Sequence, residues 1–324
     1  MPNALSLGKL AENMKPRILV VGSLNLDLVA RVPNLPQPGE TVPIDSFIQS
    51  PGGKGANQAV AAARLGALAT MLGCVGNDSF GATLLTALRE NGVATTHVRI
   101  VSECASGVAL IGVERSGQNA IMVAGGANLC LLSSDVQRLE HLFAAADAVL
   151  LQLEIPIATV AAACQLAKRH GVLVVLDPAP APSVPLPDDL CAVDLISPNQ
   201  SEAESLTGIA VADPTDAARA AAVLRGRGAR QVVVKLGAQG AVCCDHRGDI
   251  SHVPAPQVQA IDTTAAGDAF GAALAIALVE GRSLAEAAQF ACAAGALATT
   301  RCGAQEAMPW RAAVDELVAH CPHS

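Results

Sequence analysis

Short apolar runs alternate along this sequence with longer, alanine-rich stretches of helical periodicity. The apolar runs predict buried strands at Arg17–Val21, Ala148–Leu153, Val172–Leu176, Leu195–Ser197 and Gln231–Lys235. The alanine-rich stretches predict helices at Ala56–Leu65, Gly81–Asn91, Ile157–His170, Gln200–Leu206 and Pro214–Arg227. Strands that are joined through helices run parallel and have both faces of their sheet covered. The sequence therefore predicts an α/β fold with a doubly wound, mostly parallel sheet.

Two segments interrupt this alternation. Each carries β-like runs with no helix after them, one around a proline-rich piece at 33–39 and the other around a turn at 116–119. We interpret them as antiparallel strands of a small β lid beside the ends of the core strands, where a lid closes over a ligand. The predicted units are an N-terminal extension at 1–15, an α/β core at 16–26, 51–98 and 124–324, and the β lid at 27–50 and 99–123.

Composition excludes several classes of protein. The 324 residues have a net charge of −8, which argues against nucleic acid as the main partner. Hydrophobic residues make up 51%, too many for a disordered chain, but no run reaches the roughly 18 apolar residues of a membrane helix. The start has no signal-peptide pattern, and the ten cysteines have no CxxC spacing, as is typical of reduced thiols. We expect a cytoplasmic protein that binds neither membranes nor nucleic acid.

A glycine-rich loop at 52–58 leads into the first predicted helix. It is not a P-loop, because Gly55 follows Lys54 where serine or threonine is required, and the GxGxxG pattern of dinucleotide sites is absent. One interpretation is a flexible turn with a solvated lysine. The other is a backbone platform for a polyhydroxylated ligand, with Lys54 and Asn57 as polar anchors. The spacing leaves both open.

The segment 262–268 (DTTAAGD) opens a long apolar stretch at 269–278. Its small residues let backbone N–H groups converge at a helix N-terminus, which binds anions. Asp268 lies within the first turn, and a carboxylate beside an anion is unfavourable unless it acts, for example as a general base toward a hydroxyl. The simpler interpretation is a helix-capping aspartate, although the run at 265–267 leaves the amides uncovered.

Polar groups also follow several predicted strands, where ligands of open α/β sheets bind. Asn199 and Glu202 have the spacing of a capping box, and the same groups suit magnesium bound through water or the phosphates of a nucleotide. The loop Lys235–Gly240 is either a simple β-turn or a close approach for a nucleotide. Glu154 and Asp177 are carboxylates at strand ends. Either they have a functional role, or they cap a helix or form a loop ion pair.

Together these motifs resemble those of the PfkB-type sugar kinases, in particular the ribokinase branch of that family. The two signatures are GGKGANQAVAAARLG at 52–66 and DTTAAGDAF at 262–270, and the resemblance extends from Arg17 to about Trp310. It implies an ATP-dependent kinase that phosphorylates the 5-hydroxyl of D-ribose to give D-ribose 5-phosphate and ADP. It also implies Mg²⁺ with the nucleotide, K⁺ as a monovalent activator, and a homodimer formed through the lid.

The resemblance also implies roles by position. The catalytic base is Asp268, and the anion hole is Ala265, Ala266 and Gly267. The sugar-binding residues are Asn25, Asp27, Gly53, Lys54, Asn57, Glu154 and Asp268. The nucleotide-binding residues are Asn199, Glu202, Lys235, Leu236, Gly237, Ala238, Gln239, Gly240, Gly267 and Cys292. The K⁺ residues are Asp262, Thr264, Ala298, Arg301 and Gly303.

Four positions depart from the family pattern, and one of them, Thr264 in place of the more usual isoleucine or valine, should be tolerated. Lys235 stands where threonine or serine is common, Cys292 where some members place a histidine against the adenine, and Ala307 where a serine supplies an oxygen near the cation. These departures leave nucleotide preference and K⁺ dependence open, and the sequence does not separate D-ribose from 2-deoxyribose or another pentose. The alternatives are a related kinase for another sugar or a nucleoside, and a catalytically silent sugar-binding protein on the same fold.

Overall fold

The computed structural model describes residues 15–116, 118–182 and 185–320. The predicted N-terminal extension therefore lies outside the described residues, except for Lys15. The strands are β1 (Arg17–Val21), β2 (Asn25–Val32), β3 (Ser46–Gly52), β4 (Leu68–Gly76), β5 (Ala94–Val101), β6 (Gly107–Glu114), β7 (Asn119–Ala124), β8 (Ala148–Leu151), β9 (Leu173–Leu176), β10 (Leu195–Ile196), β11 (Gln231–Lys235), β12 (Ala241–Cys244) and β13 (Ile250–Val253). The helices are α1 (Lys54–Arg64), α2 (Ser79–Glu90), α3 (Ser133–Arg138), α4 (Glu140–Ala145), α5 (Ile157–His170), α6 (Asp188–Cys191), α7 (Gln200–Thr207), α8 (Pro214–Gly226), α9 (Ala266–Val279), α10 (Leu284–Ala298) and α11 (Arg311–His320).

Within the described ranges, nine strands form one large sheet in the order β13-β12-β11-β10-β9-β8-β1-β4-β5. Neighbouring strands run parallel, apart from the antiparallel pairs β11–β12 and β12–β13 at one edge. The predicted doubly wound, mostly parallel sheet is therefore confirmed. The predicted bounds of β1 and β11 are also those observed, because strands buried on both faces carry unbroken apolar runs.

The strand β4 pairs with both β1 and β5, yet it lies outside the predicted strands. Gly73 interrupts it, and glycine weakens the β pattern of a sequence. A Cβ atom at this position would lie 2.5 Å from Leu24 Cδ1 and 2.9 Å from the backbone oxygen of Gly22. The glycine thus lets β4 pack closely against the chain that leaves β1, where the sugar side of the predicted site begins.

Helices cover both faces of the large sheet and bury two hydrophobic cores. One core contains residues of α1, α9 and α10, and the other contains residues of α5, α7 and α8. The residues of α9 from Asp268 to Ala277 are all buried, and their mostly small side chains let neighbouring helices approach closely. This packing fixes the first turn of α9, which carries the predicted anion hole. In the part of the chain that the structure covers, no helix is long and apolar enough to cross a membrane.

A second sheet has four strands in the order β3-β2-β6-β7. It consists of two antiparallel hairpins, β2–β3 and β6–β7, and β2 pairs with β6 in parallel. The first strands of the two hairpins, β2 and β6, lie next to each other at the centre of the sheet and run in the same direction. The sheet takes strands from both segments of the predicted lid. The segment 99–123, however, begins within β5, which belongs to the large sheet, and β2 already begins at Asn25.

Candidate active site

A cavity of about 730 Å³ lies between the end of β11 and the first turn of α9. Predicted site residues from separate parts of the chain line it together: Lys54, Asn199, Glu202, Lys235, Gly237, Ala238, Gly240, Ala265, Ala266, Gly267, Asp268 and Cys292. Much of the remaining wall is apolar and includes Pro256, Val258 and Phe270. The structure therefore joins the glycine-rich loop, the capping-box segment and the predicted anion hole in one place.

The predicted anion hole forms the N-terminus of α9. Ala265 caps this helix with a φ of 58°, in the left-handed region. The Ala266 N–H donates to the Thr263 carbonyl oxygen over 3.3 Å, and within the described ranges the N–H groups of Ala265 and Gly267 have no hydrogen-bond partner. Unpaired donors at a helix N-terminus attract anions, and the helix dipole adds to the attraction. The local geometry therefore suits a phosphoryl group.

Asp268 lies beside this anion hole and is only 5% exposed. Its Oδ2 accepts a hydrogen bond from Asn57 Nδ2 at 2.9 Å. Burial, with the nearby carboxylates of Asp177 and Glu154, raises the pKa of Asp268 to about 6, although the Lys54 ammonium and the Asn57 bond oppose the shift. Such a carboxylate is mostly ionised at neutral pH and more basic than an ordinary aspartate, as a general base should be.

The Lys54 side chain lines the cavity next to Asp268. Burial disfavours the charged form of Lys54, but the carboxylates of Asp268, Asp177, Glu154 and Glu202 outweigh burial and raise its pKa. Lys54 is therefore a permanent cation in the middle of the site. Of the two interpretations of the glycine-rich loop, the polar platform agrees with this geometry and the solvated lysine does not.

Glu154 ties the sugar side of the predicted site together. Its Oε2 accepts hydrogen bonds from Ser23 Oγ at 2.5 Å, from the Lys54 backbone N–H at 3.2 Å and from Asn25 Nδ2 at 3.3 Å. Asn25 Oδ1 in turn accepts from Asn128 Nδ2 at 2.7 Å. The Glu154 carboxylate thus links the chain that follows β1 to the glycine-rich loop and fixes their relative positions.

Asp27 faces the glycine-rich loop from β2. A Cβ atom on Gly52 would lie 2.3 Å from Asp27 Oδ2, so only glycine fits opposite this carboxylate. Burial and the carboxylates of Glu154, Asp268 and Glu306 raise the pKa of Asp27 to about 7. The group therefore changes charge near neutral pH, and a ligand with several hydroxyl groups can donate to it when it is ionised.

The loop itself requires glycine at two close approaches. Gly53 has a φ of 90°, and a Cβ atom there would lie 2.6 Å from the Asn25 backbone nitrogen. A Cβ atom on Gly55 would lie 2.6 Å from the Ser23 backbone nitrogen. Asn57, which follows in α1, keeps its Oδ1 buried with no hydrogen-bond partner in the described chain. This acceptor beside Asp268 is therefore available to a donor such as a hydroxyl group.

On the nucleotide side, Asn199 and Glu202 form the capping box of α7. Asn199 Oδ1 accepts from the Glu202 N–H at 2.9 Å, and Glu202 Oε2 accepts from the Asn199 N–H at 2.8 Å. Burial and the Asp177 carboxylate raise the pKa of Glu202, whereas Lys235, the Asn199 bond and Lys54 lower it. Both residues also line the cavity, so the capping box does not exclude the predicted ligand role.

The loop after β11 contributes mostly backbone to the cavity. Gly240 has a φ of 92°, and a Cβ atom there would lie 2.0 Å from the Val253 carbonyl oxygen. Leu236 is 2% exposed in the hydrophobic core and does not line the cavity, and neither does Gln239. Cys292 lines the opposite wall, where burial raises the pKa of its thiol to about 12. The thiol is therefore neutral at physiological pH.

Two of the predicted K⁺ residues, Thr264 and Gly303, are hydrogen-bonded to a third, Asp262. Its Oδ1 accepts hydrogen bonds from the Thr264 N–H at 2.9 Å and Thr264 Oγ1 at 2.6 Å, and its Oδ2 accepts from the Gly303 N–H at 3.0 Å. Burial opposes ionisation, but these bonds lower the pKa of Asp262. The ionised carboxylate joins the two predicted cation segments. Ala307 is buried here and offers only a methyl group.

The sequence and the fold are similar to those of known carbohydrate kinases. A sequence model described as pfkB family carbohydrate kinase matches residues 15–311. Ribokinase from Haemophilus influenzae is 44% identical over 308 residues, which cover 95% of this chain and 100% of that protein. This chain belongs to the PfkB family of carbohydrate kinases. The resemblance stated from the two sequence signatures is thereby confirmed.

The PfkB relatives include a kinase whose name gives a different sugar. Deoxyribokinase from Salmonella typhimurium is 38% identical over 293 residues, which cover 90% of this chain and 95% of that protein. The solved structure of Arabidopsis thaliana ribokinase complexed with ribose and ATP has a TM-score of 0.88 and 35% identity, over 95% of this chain and all of that one. The ribokinase-like fold is therefore shared across the whole described core.

Several residues of this PfkB site carry no local signal in the sequence. Asn128 reaches Asn25 from a short 3₁₀ helix (Gly126–Cys130) far along the chain, and Ser23 reaches Glu154 from just after β1. Gln58 lies within the signature at 52–66, but nothing in that pattern shows that it joins Asp177 to Gln152. Ser23 and Asn128 match no motif, and these contacts form only once distant segments meet. The sequence signal that remains for such residues is a position at the end of a strand. It identified Glu154 and Asp177 as candidates but did not show which of the two has a functional role.

Proposed function

We propose that this PfkB chain transfers the γ-phosphate of ATP to the 5-hydroxyl of D-ribose, giving D-ribose 5-phosphate and ADP. The observation that carries the proposal is the position of Asp268. This buried carboxylate with a raised pKa is hydrogen-bonded to Asn57 of the sugar side and lines the cavity that contains the anion hole. Such an arrangement has a chemical purpose in a kinase and none in a protein that only binds sugar.

In the proposed reaction, Asp268 accepts the proton of the 5-hydroxyl as the oxygen attacks the γ-phosphorus, and ADP leaves in line. The N–H groups at 265–267 and the Lys54 ammonium stabilise the charge on the transferring phosphoryl group. Asn25, Asp27 and Asn57 hold the other sugar hydroxyls so that the reacting oxygen faces Asp268. Positioning and electrostatic stabilisation of this kind supply most of the rate in phosphoryl transfer.

The residues present also fit the two metal ions of the proposal. Mg²⁺ binds through one or two carboxylates and substrate phosphates, and it neutralises phosphate charge when bound. Glu202 and Asn199 line the cavity as ligands that act through water, and the described residues hold no cluster of three or more His, Cys, Asp or Glu that would form an all-protein cage. The ionised Asp262, with backbone carbonyls from the loop around Ala298, Arg301 and Gly303, suits a monovalent cation such as K⁺.

A second candidate substrate is 2-deoxyribose. The similarity to Salmonella deoxyribokinase favours it, and ribose and 2-deoxyribose differ in a single hydroxyl contact. A silent sugar-binding protein is disfavoured because Asp268 and the uncovered amides are both in place.

We further propose a homodimer formed through the four-stranded sheet. Phe47, Ile48, Ile121, Met122 and Val123 are large apolar side chains of this sheet that are at least half exposed. β3 and β7 are open edge strands, which proteins usually cover. A second copy would cover both, and such closed two-fold pairs are the commonest oligomers. The nine cysteines that the structure describes are free, which supports the proposed cytoplasmic setting.

The test is a coupled assay of ADP release with MgATP over pentoses, hexoses and nucleosides, in K⁺ and in Na⁺. We expect turnover on D-ribose that is faster in K⁺. Preference for 2-deoxyribose would keep the mechanism and change the substrate. Absence of turnover with every acceptor, while sugar binding is retained, would contradict the kinase. Sedimentation should show a dimer, and a monomer at every concentration would contradict the proposed interface.

A further inference from the structure

A second lysine approaches the anion hole from the nucleotide side. Lys235 ends β11, and its side chain is 12% exposed at the cavity wall. Its Nζ lies 3.7 Å from the position that a Cβ atom would occupy on Gly267. Lys54 reaches the same cavity from the glycine-rich loop. Two ammonium groups therefore line the cavity that holds the unpaired amides, one contributed by the sugar-side loop and one by the nucleotide-side strand.

Asp177 holds Lys235 in this position. Its Oδ1 accepts from Lys235 Nζ at 2.8 Å, and its side chain is 5% exposed. Its Oδ2 accepts from Gln58 Nε2 at 3.2 Å, and Gln58 Oε1 accepts from Gln152 Nε2 at 2.6 Å. The carboxylate is thus fixed by contacts from β11 and α1, and Gln152, just after β8, holds Gln58 in turn. A lysine has many rotamers, and this buried partner selects one that faces the anion hole.

The pair also balances charge inside the site. The Asp177 carboxylate raises the pKa of both Asp268 and Glu202, whereas Lys235 lowers that of Glu202. A buried carboxylate left alone beside an anion hole would repel phosphate, because buried charges without a partner interact strongly in a low dielectric. With Lys235 in place the pair is neutral and turns its positive end toward Gly267.

We propose that Lys235 binds the phosphate groups of the nucleotide at the anion hole, and that Asp177 is the positioning residue that aims it. The proposal rests on the proposed kinase function and adds to it a coupled pair at the donor side. Lysine binds phosphate as a compact point charge. The sugar does not take part, because Lys235 belongs to the strand that leads into the nucleotide loop.

The experiment compares Lys235→Thr, Lys235→Arg, Asp177→Asn and the double variant Lys235→Thr/Asp177→Asn. Binding of MgATP, MgADP and D-ribose is measured separately by calorimetry, with a melting temperature for each variant. We expect Lys235→Thr to weaken nucleotide binding about tenfold to a hundredfold, the range for a lost hydrogen bond to a charged group. Lys235→Arg should retain most of the affinity, and ribose binding should change little in both.

Asp177 is tested through the double variant. Lys235→Thr leaves the Asp177 carboxylate unpaired in the site, so the additional Asp177→Asn change should restore part of the lost nucleotide affinity. Asp177→Asn alone should weaken nucleotide binding less than Lys235→Thr does. Asp147→Asn is the matched control, because it breaks the 2.6 Å ion pair with Arg17 at the amino end of β1 and should leave binding unchanged.

Three results would overturn the proposal. Unchanged nucleotide binding with a lower melting temperature would make the pair a structural contact only. Equal losses of nucleotide and ribose binding would indicate general disruption of the cavity. Additive losses in the double variant would show that Asp177 does not act through Lys235. Nucleotide binding is measured without turnover, so the outcome stays readable even if no sugar is phosphorylated and the proposed kinase function fails.

Discussion

The sugar side and the nucleotide side of this active site are built in different ways. On the sugar side, polar side chains fix one another: Glu154 holds the glycine-rich loop, and Asn57 holds Asp268. On the nucleotide side, the wall consists largely of glycines, alanines and apolar residues, such as Gly237 and Gly240. We therefore expect the first surface to select its ligand by charge and hydrogen bonds, and the second by shape. Single substitutions should therefore have large effects on the sugar side and small ones on the nucleotide side, with Lys235 as the exception.

The largest effect is expected at the point where the two sides meet. Asp268→Asn removes the proposed base but keeps an amide that can still pair with Asn57. We expect kcat to fall by about 10²–10⁴-fold, the usual contribution of general base catalysis, while ribose still binds. The measurement combines ADP release with ribose titration by calorimetry. Retention of more than about a tenth of kcat would be too much activity for this assignment.

The next effect tests whether the sugar side depends on close packing. Gly53→Ala would place a Cβ atom 2.6 Å from the Asn25 nitrogen at a φ of 90°. Strain of about 1–3 kcal/mol at such a position corresponds to roughly a fivefold to 150-fold loss, which we expect in kcat/KM for ribose.

Gly66→Ala is the matched control for this substitution. Gly66 has a φ of 98°, also positive, but nothing lies within 4 Å of its added Cβ atom. It should therefore report backbone strain without the clash against Asn25. Equal losses in the two variants would mean that the close approach at Asn25 has no role of its own in sugar binding.

A smaller, pH-dependent effect is expected at Asp27. Its pKa of about 7 means that the carboxylate becomes protonated as the pH falls through neutrality. Only the ionised form accepts hydrogen bonds with both oxygens, so KM for ribose should rise below pH 7. Asp27→Asn should bind ribose more weakly and remove this dependence. The fall of kcat near pH 6 belongs to Asp268 and should remain. A wild-type KM that is constant from pH 6 to 8 would contradict the assignment.

The pH dependence of stability gives an independent check on Asp27. The ionised carboxylate should favour ribose binding but lower the stability of the sugar-free protein. Its pKa in the folded chain lies above the ordinary value of 3.8. The protonated group therefore supports folding below about pH 4, and this support is lost as the pH rises through 7. Asp27→Asn should raise the melting temperature of the sugar-free protein at pH 8 and make little difference at pH 4. A lower melting temperature at pH 8 would show that the carboxylate is not strained by its neighbours.

The sequence predicts features that depend on residues close together in the chain, and it misses contacts between distant residues. The bounds of β1, β11 and α5 follow from it because burial and helical periodicity leave local patterns. Lys54 and Asp268 were also accessible, since glycine-rich loops and helix N-termini carry local signatures. Asn128 could not be predicted, because its contact with Asn25 spans 103 residues and forms only when β2 and the 3₁₀ helix Gly126–Cys130 come together.

The parallel pairing of β2 with β6 was inaccessible for a related reason. Each hairpin has a local pattern, but the pairing between them depends on how both leave the core. The same holds for the contact of Gln58 with Asp177, which lies just after the distant strand β9. Sequence patterns therefore predict elements and helix-terminal motifs, whereas contacts between insertions and between strand ends require the assembled fold.

The smallest effect is expected at Cys292, on the wall of the nucleotide side. Its thiol has a pKa of about 12 and so brings no charge to the cavity at neutral pH. Cys292→Ala removes one sulfur from a wall that also contains Gly295 and Phe270. A contact of this size is worth less than about 0.8 kcal/mol, so the Kd for MgATP should change less than about fourfold, with ribose binding unaffected. A change of tenfold or more in the Kd for MgATP would mean that single side chains also select the nucleotide. The two sides of the site would then not differ in how they bind their ligands.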